Sequence, residues 1–165
     1  MNIAMEKKIV WLAEDIDIDT AATNPSDGIN MKNYHDCLFV VHYIDLGTAN
    51  HYVRVQSGAT EGAYSSNIPF RYAFGGAALG SANADVYATW AKTTTTTPHL
   101  VVAHATYDNY TLLVYVEAAE MDIANQEEWL NISFDDDLTG ATGQAVVMAI
   151  LTPRYPSGSI ATALT

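Results

Sequence analysis

Short runs of apolar and aromatic residues alternate with turn-forming segments along the chain. Nine runs are evident, at residues 9–12, 38–44, 52–56, 70–74, 86–90, 100–104, 111–116, 129–134 and 145–151. Val, Ile, Tyr and Phe are frequent in them, and Gly, Asn, Asp and Thr are concentrated between them, which predicts β-strands joined by turns. Run 38–44 is apolar nearly throughout, so we expect a central strand packed on both faces, whereas run 52–56 alternates like a half-buried strand.

One segment has helical character. It covers residues 117–124 and is about two turns long. Regular strand spacing with one short helix predicts an all-β fold, an antiparallel β-sandwich that is jelly-roll-like, with an open barrel as the alternative. We assign residues 1–27 to an N-terminal arm or edge strand, residues 28–156 to the β-sandwich domain and residues 157–165 to a C-terminal tail.

The charge balance limits the classes of partner. Asp and Glu number 19 and Lys and Arg number 7, which gives a formal net charge of -12. Nucleic-acid affinity comes largely from Lys and Arg that displace counterions from phosphates, so we expect no nucleic-acid partner. No stretch approaches the ~20 apolar residues that cross a bilayer, and residues 1–10 lack a signal-peptide core, so we expect no membrane partner and synthesis in a cytoplasm. The single Cys37 heads an apolar run, which predicts a buried thiol.

The motifs of common catalytic sites do not occur in the sequence. There is no Gly-x-Ser-x-Gly string, and Gly75 and Gly76 are not followed by the Lys and the Ser or Thr of a phosphate-binding loop. We therefore predict a protein that is not an enzyme and has no catalytic residues.

Metal-ligating residue types are present, but their spacing does not indicate a metal site. No two of the five His residues have the three- or four-residue spacing of a helical zinc site, although His42 and His104 could meet across strands. Asp15, Asp17 and Asp19 resemble the start of a calcium-binding loop, but Thr and Ser occupy the positions that require Gly and Glu. We predict no metal and no cofactor.

Aromatic residues give the strongest indication of function that composition allows. The chain has ten Tyr and three Trp residues. These side chains are favoured at protein interfaces and on sugar-binding surfaces, because they bury a large area and Tyr and Trp keep a polar atom for hydrogen bonding. Many of them lie in predicted strands, where ordinary core packing explains them equally well.

Three stretches, taken together, resemble a known protein family. Residues 28–36 (GINMKNYHD) lead into an apolar strand, residues 113–122 (LVYVEAAEMD) join a strand to an acidic turn, and residues 145–156 (AVVMAILTPRYP) end the domain. This order is similar to that of small virion structural proteins of tailed bacteriophages, which are encoded among head genes and described as head-decoration or cement proteins. The resemblance spans residues 28–156, and within that span residues 57–97 match no part of the family pattern.

The resemblance implies a structural role on the outer surface of a virus head. Proteins of this family are β-sandwiches that cluster, often as trimers, on an icosahedral shell and tie neighbouring capsomers together. The implied partners are the major capsid protein and further copies of the chain, and the implied location is the virion after synthesis in the bacterial host cytoplasm. A minor tail or head-tail protein and a carbohydrate-binding sandwich with a row of exposed aromatics are the alternatives.

Apolar and aromatic groups near the two chain ends are the candidate interface residues. They are Ile9, Val10, Trp11, Leu12, Arg154, Tyr155 and Pro156. Leaving such groups in water is costly, and an extended terminal segment can add as a strand to a neighbour's open sheet edge. The alternative for Trp11 is that it fills the core of its own domain.

Overall fold

The computed structural model describes residues 6–18, 23–135, 140–155 and 163–164, which form two antiparallel sheets. The strands are β1 (Lys8–Asp17), β2 (Asn24–Pro25), β3 (Ile29–Asn30), β4 (Tyr34–Leu46), β5 (His51–Gly58), β6 (Ser66–Ile68), β7 (Arg71–Phe74), β8 (Ala91–Lys92), β9 (His99–Val102), β10 (Thr111–Glu117), β11 (Trp129–Asp135) and β12 (Gly143–Pro153). A four-residue helix, α1 (His104–Tyr107), and two 3-10 turns, Ala118–Glu120 and Ile123–Asn125, complete the regular structure of these residues.

The strand order is that of a jelly roll. The first sheet runs β1-β12-β4-β10-β7-β8, and the second runs β2-β11-β5-β6, with β3 also paired to β11 and β9 also paired to β5. The chain crosses repeatedly between the sheets, so strands that are neighbours in a sheet come from distant parts of the sequence, as in two Greek keys. The predicted all-β, jelly-roll-like sandwich is confirmed.

One apolar core lies between the two sheets. Alternate residues of β4, β10 and β12 point into it from the first sheet, and those of β5 and β11 point into it from the second. Its largest fully buried side chains include Tyr34, Phe39, Tyr43, Phe70 and Phe134. The predicted burial of Cys37 is confirmed, and burial together with the nearby Asp36 carboxylate raises the pKa of its thiol.

The strand expected at residues 86–90 is wrong. This segment belongs to a loop that folds back on itself: Gly76 N donates to Val86 O, and Val86 N donates to Asn83 O. Asn83 has a φ of 69°, a left-handed conformation that Asn adopts more readily than most residues and that turns the chain sharply. Tyr87 makes only an isolated bridge to Gly75 before the two-residue strand β8 begins.

The helix expected at residues 117–124 is also wrong, because two 3-10 turns replace it. Asp122 holds the second turn: one carboxylate oxygen accepts a hydrogen bond from Asn125 N, and the other accepts one from Asn125 Nδ2. Local side-chain bonds of this kind compete with helical hydrogen bonding. The α-helix forms instead at His104–Tyr107, so His104 begins a helix where the sequence predicts the end of a strand.

His51 is a buried titratable group in the core. Its side chain is fully buried, its Nε2 lies 3.1 Å from the Tyr43 hydroxyl oxygen, and its ring centroid lies 6.1 Å from that of Phe134. Charging an imidazole away from water is unfavourable, so burial lowers the pKa of His51 from 6.5 to about 4.

We expect His51→Gln to remove part of the acid sensitivity of the fold. The unfolded chain protonates this residue near pH 6.5 and the folded chain only near pH 4. Above pH 6.5 this difference therefore does not change the free energy of unfolding. As the pH falls to about 4, it lowers that free energy by about 3 kcal/mol. Urea unfolding across this pH range measures the effect, with His99→Gln as the control at a partly exposed histidine. Parallel losses of stability in the wild type and H51Q would contradict this account.

Candidate docking surface

The outward side of the first sheet is apolar, although a sheet with one side on the core is ordinarily polar on the other. Alternate residues of its three central strands point away from the core and are partly exposed. Most of them are apolar: Leu38 and Val40 of β4, Leu113 and Tyr115 of β10, and Val146, Met148 and Ile150 of β12, with the polar His42 and Thr111 in the row of Val146. We call the seven apolar residues, with Ile9 and Trp11 of edge strand β1 and Trp90 just before β8, the apolar face.

Strand register aligns the apolar face in rows. One row is Ile9, Ile150, Leu38 and Tyr115, and the next is Trp11, Met148, Val40 and Leu113. Neighbouring strands are ~4.8 Å apart and residues on the same side of a strand are ~6.7 Å apart, so the ten residues of the apolar face cover about 320 Å². A contiguous apolar patch of this size often marks an interaction site.

The two sides of the apolar face project furthest into solvent. Trp11 is 62% and Ile9 is 54% exposed at one side, and Trp90 is 47% exposed at the other. The Trp90 ring meets the Tyr115 ring edge-on with centroids 6.4 Å apart, so it lies against the outward side of the sheet. The seven residues that the three central strands contribute to the apolar face are less exposed than these three. Exposure is therefore greatest at the two sides of the apolar face, each of which carries a tryptophan.

One end of the apolar face carries balanced charges. Thr152, Asp36 and Glu117 are aligned across β12, β4 and β10. Lys7 Nζ donates to the Thr152 hydroxyl, which in turn donates to an Asp36 carboxylate oxygen at 2.6 Å. Arg71 of β7 extends the adjoining row as the partner of Tyr115. Two cations and two carboxylates thus lie in these two rows, and we call this the balanced end.

The opposite end of the apolar face is negatively charged. Asp17 of β1, Gln144 of β12 and Asp45 of β4 are aligned across the sheet. Asp15 accepts a hydrogen bond from Gln144 Nε2 at 3.4 Å, which brings a third carboxylate to this row. The three Asp residues are exposed, and no Lys or Arg belongs to the row. We call it the acidic end.

The outward side of the second sheet is polar by contrast. Arg54 of β5 and Asp135 of β11 form an ion pair across the strands. Beside them, the Ser133 hydroxyl donates to Gln56 Oε1 at 3.1 Å. The two outward sides of the sandwich therefore differ in chemistry, and only that of the first sheet offers an extended apolar surface among the described residues.

The predicted interface residues of β1 lie on opposite sides of the strand. Ile9 and Trp11 belong to the apolar face, and their role in an interface remains a prediction. Val10 and Leu12 are 6% and 3% exposed and point into the core of their own chain. Side chains alternate between the two sides of a strand, so these two face the core, and their interface role also stays a prediction.

The predicted interface residues near the C-terminus also differ in setting. Arg154 Nε donates to the Tyr34 carbonyl oxygen at 3.0 Å, which ties the arginine to its own domain. Tyr155 is 80% exposed, and its interface role remains a prediction. Pro156 lies outside the described residues.

Sequence reasoning missed most of the apolar face. Run 38–44 is expected to pack on both faces, but only the side with Phe39 and Val41 lies in the core. A strand that is covered on both sides can have the same residue composition as a strand with one apolar side open to solvent, so composition does not distinguish the two. The available signal was a second continuous apolar run at residues 145–151 in addition to the run at residues 38–44.

Metal-ligating side chains do not cluster in the part of the chain that the structure describes. No group of three or more His, Cys, Asp or Glu residues there could hold a metal ion. His42 lies between Val146 and Thr111 in the register of the first sheet, whereas His104 begins α1 and its Nδ1 lies 3.3 Å from Asn50 Oδ1. The structure therefore provides no joint metal site for the two histidines.

A depression of about 540 Å³ lies beside the β5–β6 hairpin, lined by residues 59–60, 62–66, 125 and 127. Its carboxylate, Glu127, is 8% exposed and accepts hydrogen bonds from the Ser57 and Ser66 hydroxyls. Both of its carboxylate oxygens are thus engaged within the chain. Tyr64 is the one aromatic residue in the lining.

No protein-family model matches the chain, and no curated protein is significantly similar to it. Within the described ranges, no helix has the length and apolar character needed to span a membrane.

Proposed function

We propose that this chain is a non-enzymatic structural protein of a tailed-phage virion, a decoration or cement protein on the outer surface of the head. It binds the major capsid protein through the apolar face and stabilises contacts between neighbouring capsomers, and its copies cluster as trimers on the shell. The resemblance of residues 28–156 supports the virion assignment. The apolar face supports a role in binding.

The observation that carries the proposal is the open apolar face. Removing about 320 Å² of apolar surface from water contributes about 8 kcal/mol at roughly 25 cal/mol per Å². The loss of translational and rotational freedom on association offsets much of this gain, so a single copy binds with moderate affinity. Many copies on one shell act together, which is how a small protein can reinforce a large particle.

A carbohydrate-binding role has less support. Trp11, Tyr115 and Trp90 do lie on one sheet face, as that role requires. The residues between them are mostly aliphatic, however, and a sugar site needs convergent polar groups that fix the ligand. The depression at Glu127 has such groups, but their hydrogen bonds are made within the chain and one aromatic side chain lines it.

Co-sedimentation with undecorated head shells of the phage that encodes the chain tests the proposal. We expect saturable binding to the shells and a rise in the temperature at which they fall apart, with no binding to isolated tails. Binding to tails alone would favour the minor tail or head-tail alternative. Failure to bind either particle, together with sugar-specific binding on a glycan array, would overturn the proposal in favour of a carbohydrate-binding module.

A further inference from the structure

The charge and shape of the apolar face define its partner more closely. We propose that the apolar face receives a convex apolar ridge of a different protein chain, such as one side of a helix, with Lys or Arg residues lying over the acidic end. This inference rests on the proposed function, because it specifies the kind of capsid-protein surface that the chain binds.

The acidic end gives the argument from charge. Asp15, Asp17 and Asp45 are exposed around one margin of the apolar face, without a Lys or Arg in the row. Once the apolar face is covered, these carboxylates lie at the rim of the interface, where opposite charges favour association and like charges oppose it. A second copy would bring a further net charge of -12, whereas a partner with basic residues at this margin attracts.

The exposure of the side chains gives the argument from shape. In a face-to-face two-fold dimer whose axis runs along or across the strands, Trp11 of one copy faces Trp90 or Trp11 of the other. These are among the most exposed side chains of the apolar face, and their contact would hold the central strands of the two copies apart. A helix about 10 Å wide instead fits between sides that are about 24 Å apart across the sheet.

The difference between the two ends orients the partner. The two cations and two carboxylates at the balanced end offset one another, and Lys7 and Asp36 are joined through Thr152. This end therefore has little preference for the sign of a neighbouring charge. The acidic end favours cations. The basic residues of the partner therefore lie beyond β1, β12 and β4 at the acidic end, and its apolar residues lie over the rows that contain Val40 and Leu38.

A pair of matched double variants tests the charge argument. Asp17→Asn with Asp45→Asn keeps the side-chain shapes and removes two negative charges from the acidic end. We expect this variant to bind head shells about three- to ten-fold more weakly at low ionic strength and with a smaller dependence of Kd on salt. The control, Glu61→Gln with Asp85→Asn, removes the same charge from exposed positions outside the apolar face and is expected to bind like the wild type. Equal affinity and equal salt dependence of the two double variants would overturn the inference and leave the proposed function standing.

Light scattering during size exclusion tests the alternative that a second copy covers the apolar face. Ile9→Asp places a charge on this surface, and we expect it to leave the solution mass of the wild type unchanged because copies of the chain meet elsewhere. A wild-type oligomer that dissociates in I9D, but not in Val101→Asp, would overturn the inference. Failure of the wild type to bind shells at all would overturn the proposed function. Equal binding of the two double variants would overturn only the inference about the partner.

Discussion

Replacing Phe134 by Ala is expected to lower the free energy of unfolding by about 3–5 kcal/mol. Phe134 of β11 is fully buried, and its ring centroid lies 6.4 Å from that of Tyr43 of β4, so it joins the two sheets through the core. The substitution removes these contacts and leaves a cavity that two hydrogen-bonded sheets cannot close by small movements. Because domains are stable by only about 5–15 kcal/mol, this is a large share of the total.

Urea unfolding followed by circular dichroism measures the loss in F134A. Tyr87→Ala is the matched control for removing an aromatic ring, because Tyr87 is 38% exposed in the loop before β8. The control is expected to change stability by less than about 1 kcal/mol. A similarly small loss in F134A would contradict the assignment of a single core shared by both sheets.

Ile9→Asp is expected to weaken binding to head shells by at least about 100-fold. Ile9 is 54% exposed in the free chain, so the substitution leaves the core intact. In the complex the new carboxylate would lose its water within an apolar contact, where its direct neighbour across the strands is Ile150.

Val101→Asp is the control for this prediction. Val101 is 47% exposed on β9 of the second sheet, so it offers nearly the same exposure and the same change of chemistry away from the apolar face. Comparing the Kd of the two variants in the co-sedimentation assay separates a local effect from a general effect of added charge. Equal affinities of I9D and V101D would exclude the apolar face as the contact surface.

The fold was largely predictable because its strands have a strong sequence signal. Runs such as 38–44 and 129–134 combine β-branched and aromatic residues, and turn-forming residues separate them at regular intervals. The errors occur where local hydrogen bonds override the pattern. Asn83 turns the chain ahead of residues 86–90, and Asp122 holds a 3-10 turn in the segment that was expected to be helical.

The candidate site was predictable only at its margin. Ile9 and Trp11 were identified because they are apolar residues near a chain end, but the sequence did not reveal that Val10 and Leu12 point the opposite way. The run at residues 9–12 is apolar at every position, so composition does not tell which alternate residues face the core. The rest of the apolar face comes from strands that are far apart in the sequence, and only the sheet order brings them together.

The most direct test of the apolar face compares side-chain oxidation in the free and the shell-bound chain. Hydroxyl-radical footprinting with mass spectrometry reports the accessibility of individual Trp, Met and Tyr side chains. On binding we expect protection of Trp11, Trp90 and Met148, while Tyr52, on the outward side of the second sheet, keeps its free reactivity. Protection of Tyr52 with unchanged oxidation of Trp11 and Trp90 would contradict the claim that the apolar face is the docking surface.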